Sequence, residues 1–331
     1  MHSGSMTSSA APRRGFAWRS VISGTASLAL IAWLVVFHAT VTRVLAQIST
    51  LPGPSWPAIL IAVAAVVASY CCSAVALSAA AGRRLPFRRT LLVQFAAAAA
   101  NRITPGGVGG MAVNARFLRK QQLSSGAAGA ALSLSAMAHI AIATIGVLVM
   151  GPMVTKLPLA HSLLAARAFG VPVIVLAIVA VLLSAWWLAR AGRSRLHAQT
   201  RFTVVIRDAC DALSSASRHP KRLGLLLAAT AGVKATNLLA LLAATWAFDG
   251  DIADWRVAVV YLVGVPLAEA IPMPGGIGAV DAVLVASLAR VGASTAGSVI
   301  AAVIVFRLLT FWAPIVPGVI SAGFLRRQHV L

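Results

Sequence analysis

Five uncharged apolar runs, residues 20–38, 57–82, 121–155, 168–189 and 291–306, contain no Asp, Glu, Lys or Arg. A helix needs about 20 apolar residues to cross a bilayer, and several of these runs exceed that. Inside hydrocarbon no water satisfies the backbone, so irregular chain is tolerated there only against protein or a wet cavity. Charged residues make up 11% of the 331, against roughly 25% in a soluble domain. A soluble chain with this much apolar surface would aggregate. The fold class is an all-α polytopic membrane protein.

The net charge of +21 raises the possibility of nucleic-acid binding. The placement of the charge argues against it. Arginines and lysines sit in short clusters beside the apolar runs, as the positive-inside rule expects, where they suit anionic lipid headgroups. The three cysteines, Cys71, Cys72 and Cys210, show neither zinc spacing nor a disulfide framework, and read as small packing residues. Residues 1–19 are polar and basic, and the run at 20–38 reads as a signal anchor that stays in place rather than a cleaved leader.

Two breaks interrupt the apolar pattern in matching places. "NRITPGGVGG" occupies residues 101–110 and "AIPMPGGIGA" residues 270–279. The uncharged stretch before each break covers only ~18 Å as a helix, short of the ~30 Å hydrocarbon core. Proline and glycine then end the helix, and a second short helical stretch follows. Each unit, at 88–120 and 256–290, reads as a helix–break–helix hairpin. Charge placement favours re-entrant hairpins. With the N-terminus cytoplasmic, Arg83, Arg84, Arg88, Arg89, Arg116, Arg119, Lys120 and the basic loop at 190–222 then share the cytoplasmic side. If both hairpins crossed, that loop would face outward, against the rule. The expected architecture is an inverted repeat. Each half has three spans and one re-entrant hairpin: 20–38, 57–82, 88–120 and 125–150, then 168–189, 223–248, 256–290 and 296–324. The corresponding organisation is a cytoplasmic tail at 1–19, a first transmembrane repeat at 20–156, a second at 157–325, and a cytoplasmic tail at 326–331.

Inverted repeats with broken helices near the midplane are a transporter architecture. The helix that starts after each break offers N–H groups and a positive dipole end to an anion. The candidate substrate-binding positions are therefore Pro105, Gly106, Gly107 and Gly109 at the first break and Pro274, Gly275, Gly276 and Gly278 at the second. Ionisable residues at membrane depth join them: Arg102, Lys234, Glu269, Asp281 and Arg307. Ion pairing of Glu269 or Asp281 with Arg307 or Lys234 would also explain their presence. Cations outnumber acids in this set, and the surplus suits a phosphate headgroup, with Arg307 favoured for its forked guanidinium and Lys234 second. His139 reads as a packed histidine. The basic loop has amphipathic spacing that suits a helix on the cytoplasmic surface.

"PMPGGIGAVDAVLVASLARVG" (272–292), followed by "VFRLLTFWAPIVPGVI" (305–320), resembles the lysylphosphatidylglycerol synthase transmembrane family, also called flippase-like. The resemblance extends over nearly the whole chain. It implies an inner-membrane protein of bacteria that moves lipids between leaflets. Some relatives carry a soluble aminoacyl-transferase domain, which these 331 residues do not contain. Two positions depart from the pattern: Asp281 stands where Glu is expected, and Ala138-His139 where relatives carry an acid–Arg pair.

The expected function is therefore an inner-membrane lipid flippase or transporter for an anionic phospholipid or a polyprenyl-linked envelope lipid. The alternatives are a membrane-embedded glycosyl or aminoacyl transferase, or a non-catalytic partner of an envelope-lipid synthesis complex. No nucleotide-binding motif, catalytic set, metal site or cofactor is predicted. The expected partners are membrane lipids with anionic headgroups, and both termini are expected in the cytoplasm.

Overall fold

The computed structural model describes residues 53–104, 108–157, 219–248, 252–269, 278–292 and 296–328. The predicted spans at 20–38 and 168–189 and the amphipathic part of the basic loop lie outside the described residues. So do the tips of both breaks, at 105–107 and 270–277.

The described chain is helical throughout. Helix α1 (Trp56–Ala81) is followed by α2 (Phe87–Ile103) and α3 (Val108–Lys120), the arms of the first hairpin. Helix α4 (Ser125–Met150) runs on through a 3₁₀ turn at Gly151–Lys156, and α5 is Pro220–Trp246. The second hairpin comprises α6 (Asp254–Val259), a π-helical turn (Val260–Gly264), α7 (Val265–Glu269) and α8 (Ala279–Arg290). Helix α9 (Ala296–Arg307), a second π-turn (Leu308–Trp312) and α10 (Ile315–Arg327) complete the order.

Local chemistry sets these boundaries. Prolines occupy the first turns of α1 and α5, where their missing N–H costs nothing. The Ser124 hydroxyl accepts from the Ala127 N–H at 3.2 Å and caps α4. Each π-turn lies just before a proline, Pro266 in one case and Pro314 in the other. A proline has no N–H for the carbonyl four residues back and its ring crowds that turn, so the helix widens there.

Four helical stretches are long and apolar enough to cross a membrane: Trp56–Ala81, Ser125–Val154, Pro220–Trp246 and Gly297–Leu325. They match the four predicted spans that fall on described residues, and the chain is a multi-pass membrane protein. Only 11% of the apolar window in Ser125–Val154 is buried, so Ile140, Ile145, Leu148 and Val149 present an apolar face suited to lipid.

The most extensive packing joins α1 to α5. The pair is antiparallel and is fastened at both ends. Arg222, at the start of α5, donates from Nε to Ala79 O at 2.7 Å and from Nη2 to Ala80 O at 2.5 Å, at the end of α1. At the other end the Ser55 N–H donates to Ala247 O at 2.9 Å. The buried positions on both helices are mostly small, with Ala62, Ala65, Ala74 and Ala76 on α1 and Ala240, Ala243 and Ala244 on α5. Small side chains let backbones approach where no hydrophobic effect separates helix from lipid.

The hairpins exchange partners. Helix α2 of the first packs chiefly on α10, while the π-turn of the second packs on α4. An arginine closes each hairpin at its base. Arg83 donates to Gln121 O at 2.9 Å beyond the end of α3, and Arg256 donates to Val291 O at 2.5 Å beyond the end of α8.

The α2–α10 contact depends on Gly318. A Cβ built there would lie 2.5 Å from Phe95 O and 2.7 Å from Ala99 Cβ. Neither neighbour is a flexible side chain. Gly318→Ala is expected to force the two helices apart and cost about 1–3 kcal/mol. Thermal unfolding of the detergent-solubilised protein checks this; an unchanged melting temperature would show that the contact is not stabilising.

Candidate functional site

Arg102, Asp281 and Arg307 arise from α2, α8 and α9; the two arginines flank the ring of Phe311 in the second π-turn, and Asp281 joins them through Arg307. The Arg307 guanidinium carbon lies 4.9 Å from the ring centroid and that of Arg102 lies 4.2 Å from it. Both are within cation–π range.

Arg307 is ion-paired. Its Nε lies 2.5 Å from Asp281 Oδ1, and its Nη2 donates to Asp281 Oδ2 at 3.4 Å. Asp281 sits in the first turn of α8, and its Oδ2 also accepts the Gly278 N–H at 2.9 Å. The carboxylate therefore serves the start of α8 and the Arg307 guanidinium together. The negative charge suits the positive dipole end of the helix. The Arg307 side chain is 15% exposed and that of Asp281 36%.

Arg102 has a different kind of partner. Its Nη2 donates to Thr310 O at 2.9 Å, and its Nε reaches Phe311 O at 3.4 Å. The Thr310 carbonyl is the one whose usual helical donor would be residue 314, which is Pro314. The arginine supplies the hydrogen bond that the proline cannot. Among the described residues no carboxylate pairs with Arg102.

Lys234 and Glu269 form the second ion pair, with Nζ 3.7 Å from Oε2. Their side chains are 17% and 55% exposed, and the geometry is loose. Both acids of the candidate set are thus paired with the cations that sequence reasoning offered them. His139 Nδ1 donates to Ser135 O one turn back at 2.9 Å, consistent with a packed histidine.

The helix start after the first break differs from the open N–H groups that the sequence leads one to expect. In the first hairpin the Gly109 N–H donates to Thr104 Oγ1 at 2.8 Å, and the Gly110 N–H donates to Asn101 Oδ1 at 2.6 Å. The end of α2 caps the start of α3. A Cβ at 109 would sit 2.6 Å from Ala100 O, and one at 110 would sit 2.5 Å from Asn101 Oδ1. These glycines fit the cap. Gly278 differs, with φ of +87° and no described atom within 4 Å of a Cβ position. Its need is conformational. Pro105, Gly106, Gly107, Pro274, Gly275 and Gly276 lie outside the described residues.

Sequence reasoning passed over Phe311, Thr310, Asn101 and Thr104. A usable signal existed for two of them. Pro314 marks the Thr310 carbonyl as short of a donor, and an Asn and a Thr just before a glycine-rich helix start are ordinary capping residues.

The Asp281–Arg307 pair gives a test. Asp281→Asn keeps an oxygen for the Gly278 N–H and removes the charge. It is expected to cost about 1–3 kcal/mol, because Arg307 is left mostly buried without its counter-ion. Adding Arg307→Gln should recover part of that loss. A double-mutant cycle on thermal stability reads the coupling, and strictly additive losses would mean the pair contributes nothing.

A family model described as the lysylphosphatidylglycerol synthase transmembrane region matches residues 18–318, most of the chain. No curated protein matches it. The chain belongs to the lysylphosphatidylglycerol synthase transmembrane family.

Proposed function

We propose that this member of the family moves a lipid with an anionic headgroup, a phospholipid or a polyprenyl-linked envelope lipid, between the leaflets of the bacterial cytoplasmic membrane. The observation that carries this reading is the charge cluster at Phe311. Two guanidiniums share one ring, one carboxylate answers one of them, and the other holds neutral carbonyls. A net positive site between elements distant in sequence suits a phosphate group. Arg102, Gly109, Lys234, Glu269, Gly278, Asp281 and Arg307 are proposed as substrate-binding, with the break residues Pro105, Gly106, Gly107, Pro274, Gly275 and Gly276.

The reading includes an inverted repeat with both termini cytoplasmic. Three features support the repeat. Helices α1 and α5, the second span of each proposed half, pack antiparallel. Each hairpin packs on the last span of the other half. An arginine near the start of each hairpin bonds a carbonyl just past its second arm. Alternating access in such folds comes from one repeat rocking against the other around a fixed site.

The test is leaflet exchange in proteoliposomes containing fluorescent phosphatidylglycerol or a neutral fluorescent lipid, with an impermeant quencher reporting the outer leaflet. Wild-type protein is expected to speed exchange of the anionic lipid. Arg307→Ala, and Glu269→Gln combined with Asp281→Asn, are expected to lose most of that acceleration. Wild-type exchange equal to that of empty liposomes for both lipids would sink phospholipid transport.

A further inference from the structure

We infer that Arg102 is the residue that selects the anionic group, and that it takes the group in exchange for the main-chain carbonyls it now holds, freeing the end of α2 from the π-turn of the last span. This rests on the lipid-moving reading above.

The argument starts from what Arg102 touches. Its two acceptors, Thr310 O and Phe311 O, are neutral. A phosphate offers the same guanidinium paired, charge-assisted hydrogen bonds, which are roughly twice as strong as bonds between neutral groups. Arg307 flanks the same Phe311 ring, but its charge is answered by Asp281. Exchange at Arg102 therefore does not require breaking an ion pair.

The same contact joins moving parts of the proposed mechanism. Arg102 lies in the last turn of α2, the first arm of one hairpin, whereas Thr310 and Phe311 lie in the π-turn of the last span. Farther along, α2 and α10 pack through Gly318. When Arg102 leaves, the Thr310 carbonyl has no α-helical donor, because Pro314 lacks an N–H. An unsatisfied carbonyl in an apolar setting is costly, so water must reach the turn as the arginine departs. Anion capture, release of the end of α2 from the π-turn and hydration of that turn are one event.

Hydrogen–deuterium exchange of the full chain in nanodiscs tests this. The readout is the amides of residues 308–318. The lipids are phosphatidylcholine alone, phosphatidylcholine with phosphatidylglycerol, and phosphatidylcholine with added inorganic phosphate. Wild-type exchange is expected to be about tenfold faster with phosphatidylglycerol than in phosphatidylcholine alone, as expected for loss of one hydrogen bond to a charged group. Acceleration by inorganic phosphate as well would identify the phosphate group itself as the ligand; acceleration by phosphatidylglycerol only would require the lipid. Arg102→Gln is expected to exchange fast in all three. Arg102→Lys keeps the charge without the fork, and should be fast in phosphatidylcholine alone.

Wild-type exchange that is the same in all three conditions overturns the inference, as does wild-type protection in Arg102→Gln. If lipid exchange between leaflets occurs without any change at 308–318, this inference falls and transport stands. If the amides respond and no lipid moves, Arg102 release stands and transport falls.

Discussion

A main-chain carbonyl that loses its helical partner needs another donor, and at membrane depth only protein or a wet cavity can supply one. Among the described residues, arginine side chains donate to main-chain carbonyls at helix ends or breaks in four places. Arg102 serves the turn before Pro314, Arg222 the end of α1, Arg83 the end of α3 and Arg256 the end of α8. Each bond runs between residues far apart in sequence or across a hairpin. The guanidinium suits the task because it carries several donors on a long stem and stays charged. Part of the strongly basic composition is thus explained inside the protein, beyond any role at the membrane surface.

The two hairpins share a sequence signature but differ at the start of the second arm. The first is closed by neutral side chains, Asn101 and Thr104. The second is closed by a carboxylate, Asp281, which also holds Arg307. Among the described residues no carboxylate pairs with Arg102, on the first hairpin. The difference lies in side chains, in hairpins that share a Pro-Gly signature.

Much of this was legible in the sequence. The four described spans and both hairpins fall close to where uncharged runs and Pro-Gly breaks put them, because hydrocarbon thickness sets the length of a crossing helix. The ion pairs were legible as a choice among few acids. The arrangement at Phe311 was not. Nothing in the spacing of Arg102 and Phe311, more than 200 residues apart, says that one will lie over the other. That contact follows from how α2 seats on α10, which depends on a single glycine. The side-chain caps on Gly109 and Gly110 were not legible for a related reason. A Pro-Gly-Gly signature reports that the backbone bends, but only the neighbours decide whether its N–H groups are open.

The second π-turn has a consequence for how this span can change over time. A π-turn holds one residue more than the α-helical turn it replaces, and one residue is worth about 100° of rotation in an α-helix. Below the turn α9 packs on α5 and α8; above it α10 packs on α2. The extra residue lets one span present different faces to two sets of neighbours. Loss of a single residue between Leu308 and Trp312 would leave composition and hydropathy almost untouched and turn Gly318 away from Phe95. The last span is constrained by how many residues it contains at that point more than by which ones they are, so deletions there carry a penalty that substitutions do not.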